Sequence, residues 1–311
     1  MDQNRSYYKP IQLSSKVTTV KATIMTRCSS RSIWITGAGG LIGNQLVRTA
    51  SRFAPGWEIH APARSQLDLT DTVAVRETFH RLRPQIVIHC AALSKTGACE
   101  RNPALARCVN VQSTAQLAGL AEEIAFIFFS TDLVFDGRRG YYDETREVNP
   151  LSMYAETKVM AEQTVLKNPR HTVIRTSLNG GISPTGDRGF NEEMRRAWQA
   201  GQMLNLFTDE FRCPIPAMVT ARAVWELILK AEPGLYHLAG AERLSRWQIG
   251  QLLAKRWPHL HPKLTPSSRE DFTGPPRPAD TSLNCAKVQK LLSFPLPHFT
   301  DWLNRHPAEE F

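Results

Sequence analysis

Residues 32–43 read Ser-Ile-Trp-Ile-Thr-Gly-Ala-Gly-Gly-Leu-Ile-Gly, an apolar, β-branched run that leads directly into a glycine-rich turn. The segment that follows, Leu41–Phe53, has the apolar spacing of a helix. A strand, a glycine turn and a helix in this order are the context of a dinucleotide-binding fingerprint. The sequence therefore predicts that the N-terminus of this helix, with its free N–H groups and positive dipole end, holds a pyrophosphate.

Each glycine of the turn has its own part in this prediction. Gly37 permits the tight turn, Gly40 lets the backbone approach the pyrophosphate, and Gly43 lets the helix pack against the strand. Leu41 and Ile42, in the first helical turn, are expected to offer backbone N–H groups to the phosphates. The alternative is a glycine turn without a ligand, and its position at the first strand–helix junction argues against that reading.

Segments of strand and helix type alternate from this turn to about residue 176. The predicted strands are Ser32–Thr36, Trp57–His60, Ile86–His89, Phe126–Ser130 and Thr172–Arg175. The predicted helices are Leu41–Phe53, Asp71–Leu82, Pro103–Ala121 and Ser152–Leu166. This alternation predicts an α/β fold of the Rossmann type, a doubly wound parallel sheet with helices on both faces. Ligands of such sheets bind beyond the carboxyl ends of the strands.

After Thr176 glycine and proline cluster, and the apolar periodicity becomes patchier. Here we predict helices at Glu192–Gly201, Ser245–Lys255 and Phe299–Arg305, a strand at Leu235–Ala239 and a loop at Pro262–Pro278. The chain is thereby divided into three parts. Residues 1–31 are predicted to be a poorly ordered N-terminal extension, residues 32–176 an NAD(P)-binding domain, and residues 177–311 a smaller, irregular part that mainly binds substrate.

Charge and composition exclude several classes of function. The chain has 311 residues and a net charge of +9, and its first 32 residues carry six basic side chains against Asp2. The remainder is mildly basic without a dense basic run interleaved with aromatic residues, which argues against nucleic-acid binding. No apolar run is long enough to span a bilayer. The six cysteines form no C-x-x-C pair, so we expect no metal site and a cytoplasmic location.

The residues after the second predicted strand bear on the choice of cofactor. NAD-selective sites usually place an acid there, on the ribose hydroxyls. This stretch instead ends in Arg64, which could pair with a 2′-phosphate. We therefore expect NADP(H) to be preferred, with NAD(H) as the alternative. Asp68 and Leu69 are expected beside the adenine, although Asp68 could equally cap the next helix, and Ala91 and Ala92 would leave space for the cofactor.

Tyr154 and Lys158 are four residues apart in a predicted helix and therefore share one face. A free tyrosine has a pKa near ~10, and an adjacent ammonium together with an oxidised nicotinamide would lower that pKa. Tyr154 could then donate its proton to a carbonyl as hydride arrives. Thr131, just past the end of a buried strand, is expected to hydrogen-bond the substrate oxygen. These motifs, in this order after the glycine turn, predict an NAD(P)-dependent oxidoreductase.

On these motifs the chain resembles the extended short-chain dehydrogenase/reductases, and within them the dTDP-4-dehydrorhamnose reductase-like family. The matching stretches are TGAGGLIG (36–43), FFSTDLVFDG (128–137), NPLSMYAETKVMAE (149–162), VIRTS (173–177), GLYHLAG (234–240) and RPADTSLNCAKV (277–288). The resemblance implies catalytic roles for Thr131, Tyr154 and Lys158, with Lys158 also holding the nicotinamide ribose. It implies further that Asn110 supports the active site and that the substrate is a 4-keto sugar nucleotide.

Two departures from the family pattern concern the substrate. Leu133 follows Ser-Thr-Asp, where the family usually has Tyr, and the loop at residues 93–100 lacks the usual aromatic and acidic pair. The phenol and carboxylate that might touch the sugar are therefore missing. The sequence does not determine the oligomeric state, and a homodimer is one of the assemblies that it allows. The candidates for contacts with substrate are Asp132, Arg188, Phe190 and Arg212.

Two other functions are left open by the sequence. One is an epimerase or dehydratase that retains its NAD. Dehydratases of this superfamily usually carry Asp-Glu after the catalytic Thr, and here Asp132 is followed by Leu133, which counts against dehydration. The other is a non-catalytic regulatory protein, because the β subunit of methionine adenosyltransferase resembles the same branch. The intact set of Thr131, Tyr154 and Lys158 favours catalysis.

Overall fold

The computed structural model describes residues 31–307 and residue 311. The predicted N-terminal extension, residues 1–31, lies outside the described residues except for Arg31. Arg31 begins β1, so this strand begins one residue earlier than predicted.

The strands of the described residues are short, and most have hydrophobic side chains at their centre. In chain order they are β1 (Arg31–Thr36), β2 (Trp57–His60), β3 (Ile86–His89), β4 (Ala125–Thr131), β5 (Thr172–Thr176), β6 (Asn179–Gly180), β7 (Met203–Phe207), β8 (Phe211–Arg212), β9 (Ile215–Pro216), β10 (Gly234–Leu238), β11 (Leu244–Ser245) and β12 (Lys263–Ser267).

The helices of the same residues separate the strands of the main sheet. They are α1 (Leu41–Phe53), α2 (Thr72–Leu82), α3 (Thr96–Arg101), α4 (Pro103–Arg107), α5 (Ser113–Leu120), α6 (Met153–Val165), α7 (Phe190–Gln199), α8 (Ala217–Lys230), α9 (Arg246–Arg256), α10 (Ala286–Gln289) and α11 (Phe299–Arg305). A single π-helical turn, Cys108–Gln112, joins α4 to α5. No helix of the described residues is long and apolar enough to cross a membrane.

The central sheet has six strands in the order β10-β5-β4-β3-β1-β2, and each neighbouring pair is parallel. The pairing places Ile33 opposite Ile86, Ile88 opposite Ile127, and Phe129 opposite Ile174. Strands with continuous apolar runs suit this arrangement, because a parallel sheet is covered on both faces. The predicted Rossmann-type fold is therefore confirmed.

Helices cover both faces of this sheet. On one face, Ile35 and Phe129 pack in a cluster with Leu46 of α1 and Trp225 of α8. On the other face, Phe126 and Phe128 of β4 pack with side chains of α5 and α6, among them Leu117 and Val165. These two clusters hold the strand ends in fixed positions relative to the helices that follow them.

Two elements from the second half of the chain complete this layer structure. Strand β10 pairs with β5 along its length, and α8 packs against α1, with Trp225 Nε1 donating to Thr49 Oγ1 at 3.1 Å. The central sheet therefore includes a strand from beyond the predicted domain boundary at residue 176. The division by function at that residue stays a prediction.

The predicted loop at Pro262–Pro278 is wrong for its first part. Residues 263–267 form β12, which pairs in parallel with β7 from Lys263↔Met203 to Ser267↔Phe207. Most residues of both strands are exposed or only partly buried, so neither has the alternating pattern that marks a strand in a sequence. This pairing joins segments about sixty residues apart, and a local pattern does not reveal it.

Candidate active site

The carboxyl ends of the central strands bring the predicted site together at one edge of the sheet. Thr36 at the end of β1 is paired with His89 at the end of β3, and Thr131 at the end of β4 is paired with Thr176. The glycine turn, the Ala91-Ala92 segment and the Ser-Thr-Asp segment all begin at this edge. This is the position at which a doubly wound sheet binds its ligands.

The glycine turn is closely packed against the end of β3. Gly37 has a φ of +74°, a conformation that favours glycine. A Cβ at Gly37 would lie 2.5 Å from the backbone nitrogen of Ala91, and a Cβ at Gly43 would overlap the carbonyl oxygen of Gly37. Gly40 donates its N–H to the same carbonyl at 2.9 Å. The turn thus has the shape that a dinucleotide fingerprint predicts.

The start of α1 has backbone N–H groups that are available to a bound pyrophosphate. Gly40 is its N-cap and supplies no side-chain acceptor, so the N–H groups of Leu41 and Ile42 lack a capping partner. By contrast, Asp71 caps α2 and Ser152 caps α6 with side-chain oxygens. A Cβ at Gly39 would meet no atom within 4 Å. The residues present therefore fit a dinucleotide phosphate at this helix end.

The loop after β2 is open to solvent. The Arg64 side chain is 81% exposed, and its Nη2 lies 3.9 Å from Asp68 Oδ2. The other oxygen of Asp68 accepts hydrogen bonds from the backbone N–H and the hydroxyl of Thr70, so Asp68 stabilises its own turn and does not cap α2. The carbonyl of Leu69 accepts from Ser113 Oγ at 2.8 Å. Arg64 alone of these groups can turn freely toward a ligand.

The structure brings Thr131 and Tyr154 together. Thr131 ends β4, and Tyr154 lies in the first turn of α6, just after the Ser152 cap. The hydroxyl of Thr131 lies beside the phenol of Tyr154 and lowers its pKa, while Thr131 Oγ1 donates to Asp132 Oδ1 at 3.3 Å. Thr131 Oγ1 also accepts from the N–H of Leu133 at 3.2 Å. A hydroxyl pair is therefore placed where a carbonyl oxygen could receive two hydrogen bonds.

The pKa of Tyr154 is nevertheless raised above its usual value. Burial is the largest cause, and the negative charge of Asp132 adds to it. The positive charge of Arg212 acts in the opposite direction and lowers it. The expectation that an ammonium and an oxidised nicotinamide together lower the pKa of Tyr154 stays a prediction.

Lys158 points instead toward the sheet. Its side chain is 3% exposed, and Nζ lies 4.0 Å from the centre of the Phe128 ring. Burial lowers the pKa of Lys158 to about 7, against the opposing charge of Glu162. Spacing along α6 placed Tyr154 and Lys158 on one face, but it did not fix where the end of the long lysine side chain lies.

Asn110 is held by the π-helical turn and braces two segments of the site. Its Oδ1 accepts from the N–H of Leu93 at 2.8 Å, and its Nδ2 donates to Thr157 Oγ1 at 3.0 Å. Thr157 in turn donates to the carbonyl of Tyr154 at 2.7 Å. Asn110 thereby supports the loop after Ala92 and the first turn of α6.

Asp132 and Arg212 form a buried ion pair, with Arg212 Nε 2.6 Å from Asp132 Oδ2. Asp132 is 0% exposed and Arg212 is 6% exposed. Ser177 Oγ also donates to the Asp132 carboxylate, at 2.6 Å. Both residues were predicted to contact substrate. In the structure their charges already satisfy each other, because residues 80 positions apart in the chain meet at the strand ends.

Arg188 and Phe190 do not meet at a common surface. Arg188 is exposed, and its Nε lies 3.1 Å from Asp187 Oδ1. Phe190 is 7% exposed and packs against Phe299 and Phe311. The Phe190 ring therefore belongs to an aromatic cluster of the second half, and its contact with substrate stays a prediction.

Arg246 is a residue of the site that the sequence-based predictions do not include. It is half-buried at the start of α9, with its guanidinium 5.9 Å from the Phe190 ring. Among the described residues it makes no ion pair, although Glu210 beside it pairs with Arg277 and Arg212. Burial is the largest cause that lowers its pKa, the charges of Arg212 and Arg277 add to it, and the charges of Glu210 and Glu193 oppose it. Only the long-range pairing of β11 with β8, directly before α9, reveals this position.

Comparison with known proteins finds relatives over most of the chain. Residues 31–310 match the family model described as the RmlD substrate binding domain. The chain is 32% identical over 236 residues to a probable low-salt glycan biosynthesis reductase, Agl14, of Haloferax volcanii, a match that covers 71% of this chain and 79% of the relative. It is 27% identical over 279 residues to methionine adenosyltransferase 2 subunit beta of Xenopus laevis, covering 84% of this chain and 83% of the relative.

A solved structure has the same architecture. The dTDP-4-dehydrorhamnose reductase of Clostridium acetobutylicum superposes with a TM-score of 0.80 at 26% identity, covering 88% of this chain and 97% of that structure. The resemblance predicted from the motifs is thereby confirmed. Since the family model spans nearly all of the described residues, the chain belongs to the RmlD substrate binding domain family, a family of NAD(P)-dependent oxidoreductases related to the short-chain dehydrogenase/reductases.

Proposed function

We propose that this chain reduces the 4-keto group of a nucleotide-activated sugar with NADPH, and that Tyr154 is the general acid. The observation that carries this proposal is the contact between the hydroxyls of Thr131 and Tyr154, at the sheet edge that also holds the Gly37 turn. The relatives support the substrate class, since they include a probable glycan biosynthesis reductase and a dTDP-4-dehydrorhamnose reductase.

Proton transfer is the step that the chain itself supplies. NADPH, when bound, supplies the hydride. Because burial and Asp132 raise its pKa, Tyr154 keeps its proton at neutral pH, as a donor must. The alkoxide formed from the ketone is more basic than a phenolate, so the proton moves from Tyr154 to the substrate oxygen. Thr131, whose hydroxyl donates to Asp132 in the structure, turns this proton to the substrate oxygen and fixes its position.

The preference for NADPH rests on the loop after β2. The residues directly after β2, 61–64, include no acid that would bind the ribose hydroxyls of NAD. The exposed Arg64 has only a weak, solvent-screened pair with Asp68 at 3.9 Å, so its guanidinium is available to a 2′-phosphate. We propose NADP(H) as the preferred cofactor, and oxidation of NADPH and of NADH measured in parallel tests it.

The diphosphate of a sugar nucleotide fits the surplus of positive charge around Arg246. Two buried carboxylates, Asp132 and Glu210, face three guanidinium groups, those of Arg212, Arg246 and Arg277. Ion pairs occupy Arg212 and Arg277, whereas Arg246 has no carboxylate within 4 Å among the described residues and feels Glu210 and Glu193 only at longer range. A half-buried charge without a partner is costly, so an anionic substrate group is the complement that this cluster favours.

The test is oxidation of NADPH with dTDP-, UDP- and GDP-linked 4-keto sugars, comparing Arg246→Gln with Arg188→Gln. A hydrogen bond to a charged group contributes about 2 kcal/mol, so Arg246→Gln should raise the KM for the sugar nucleotide by about tenfold or more. Its kcat and its affinity for NADPH should be unchanged. Arg188→Gln should leave the KM as in the wild type. A larger effect of Arg188→Gln would assign the diphosphate to the loop before α7, and turnover of no substrate would contradict the proposal.

A second candidate function is supported by one observation, the likeness to methionine adenosyltransferase 2 subunit beta over 84% of the chain. In that case the protein would bind a methionine adenosyltransferase and would not turn over a sugar nucleotide. Binding to such an enzyme, measured beside the substrate screen, separates the two functions. A dehydratase is disfavoured, because Leu133 supplies no carboxylate after Asp132.

A further inference from the structure

A buried histidine, His89, lies under the site at the end of β3 and bonds to two hydroxyls. Its Nδ1 is 2.7 Å from Thr36 Oγ1, the residue just before Gly37. Its Nε2 is 3.0 Å from Thr114 Oγ1 in α5. His89 is 1% exposed, and both threonines are buried. The histidine therefore joins the end of β1 to the helix behind the site.

The same chain of hydrogen bonds continues to the helix that carries Tyr154. Thr114 donates to the carbonyl of Asn110 at 2.7 Å. Asn110 Nδ2 donates to Thr157 Oγ1, and Thr157 donates to the carbonyl of Tyr154. Asn110 and Thr157 are 1% and 0% exposed. Water does not compete for these bonds, so the positions of their members depend on one another.

The direction of each bond fixes the state of His89. Thr114 gives its only hydroxyl proton to Asn110, so it must accept from Nε2–H of His89. Nδ1 then carries the lone pair and accepts from the hydroxyl of Thr36. Burial lowers the pKa of His89 to about 3, so this neutral tautomer persists at any pH near neutrality. His89 is thus a bridge between two hydroxyls and not a group that exchanges protons.

We infer that His89 is a positioning residue for the proposed hydride transfer, because it sets the glycine turn that holds the cofactor relative to the helix that holds Tyr154. This inference rests on the proposed function. One end of the chain of hydrogen bonds fixes Thr36 next to Gly37, and the other end fixes the carbonyl of Tyr154. Loss of the bridge would let the two parts shift relative to each other, and reaction rates depend steeply on such alignment.

The substitution His89→Phe removes the bridge while keeping an aromatic ring. The histidine ring lies 5.9 Å from Phe126 and 5.8 Å from Phe128, centre to centre, so a phenyl ring has apolar neighbours there. His89→Gln keeps one donor and one acceptor on a flexible side chain. Comparison of these two variants separates the hydrogen bonds from the packing.

His171 offers a matched control. It is 2% exposed, its ring centre lies 5.3 Å from that of the same Phe126, and it bonds through Nε2 to the carbonyl of Ala121 at 3.1 Å. It directly precedes β5 and therefore lies at the amino end of the sheet, away from the site. His171→Phe should lower the melting temperature as His89→Phe does, without touching the chain of hydrogen bonds that ends at Tyr154.

The experiment measures kcat with a substrate from the screen above, the Kd for NADPH, and the melting temperature for the wild type and all three variants. We expect His89→Phe to lower kcat by about tenfold and to weaken NADPH binding, with partial recovery in His89→Gln. His171→Phe should keep the wild-type kcat and Kd.

Equal kcat and Kd in the two phenylalanine variants would overturn the inference, since His89 would then only stabilise the fold. If the wild type oxidises NADPH with none of the sugar nucleotides in the screen, the proposed function fails. The Kd values for NADPH then decide the inference on their own. Weaker binding in His89→Phe alone would support it, and equal binding in both variants would refute it.

Discussion

The ammonium of Lys158 has almost no contact with water. It is 3% exposed, faces the Phe128 ring, and has its pKa lowered to about 7 by burial. In the unfolded chain a lysine has a pKa near ~10.4. The folded protein therefore binds fewer protons than the unfolded chain between these two values. Its stability should rise with pH across this window and be lowest, for this group, below about pH 7.

Lys158→Met should therefore increase the free energy of unfolding, and it should do so more at low pH than at high pH. Each pKa unit corresponds to about 1.4 kcal/mol, so the gain at about pH 6 should exceed the gain at about pH 9 by roughly 2 kcal/mol. Urea denaturation at both values measures this difference. Lys255→Met, at an exposed position of α9, is the control and should show no such difference. An equal gain at both pH values for Lys158→Met would contradict the burial of the charged group.

At the residue scale, local spacing and motif order predicted which side chains gather at the site. They did not predict the hydrogen bonds and ion pairs that each side chain makes there. Thr131 and Tyr154 meet as expected, although their catalytic roles stay predictions. The pairing of Asp132 with Arg212 and the unpaired Arg246 were not predictable. These contacts join residues that are far apart in the chain, and no single-sequence pattern carries that information.

The junction between β1 and α1 is the element on which cofactor binding depends. A Cβ at Gly43 would overlap the carbonyl of Gly37, so a side chain there must push the turn away from the helix. The first N–H groups of α1 would then move from the place where phosphate is expected. A side chain at residue 43 would therefore destabilise the fold and distort the proposed cofactor site at the same time.

Gly43→Ala should lower the free energy of unfolding by about 1–3 kcal/mol, the usual cost of overpacking. It should also weaken NADPH binding. Gly119→Ala in α5 is the matched control, because a Cβ there meets no atom within 4 Å. It should raise stability by about 0.5–1 kcal/mol, as alanine does in a helix interior, and leave NADPH binding unchanged. Titration of NADPH and denaturation of both variants check this, and wild-type affinity in Gly43→Ala would refute it.

At the element scale, the sequence predicted long apolar segments well and short exposed ones poorly. The bounds of β1, β3 and α1 agree with prediction to within one residue, because continuous burial produces a strong pattern. The pairing of β7 with β12 was missed. Exposed strands of this kind depend on a partner from another part of the chain. An amphipathic helix or a buried strand, by contrast, can be predicted from the pattern of its own residues.

At the scale of the whole molecule, the two halves of the chain share one sheet. Strand β10 extends the sheet beyond β5, and the buried pair of Asp132 and Arg212 joins the end of β4 to β8. The proposed catalytic hydroxyls therefore lie between the glycine turn of the first half and the arginine cluster of the second. The alternation of strands and helices predicted the central sheet. Only the three-dimensional pairing shows that β10, which lies beyond residue 176, belongs to it.

The most direct test of the proposed reductase is the substitution Tyr154→Phe, which removes the proton donor and keeps the ring. General acid catalysis contributes about 10²- to 10⁴-fold, so kcat for oxidation of NADPH by a 4-keto sugar nucleotide should fall by at least about 100-fold. The Kd for NADPH, measured on the same preparation, should be unchanged. Wild-type turnover by Tyr154→Phe would contradict the proposal that this phenol protonates the substrate.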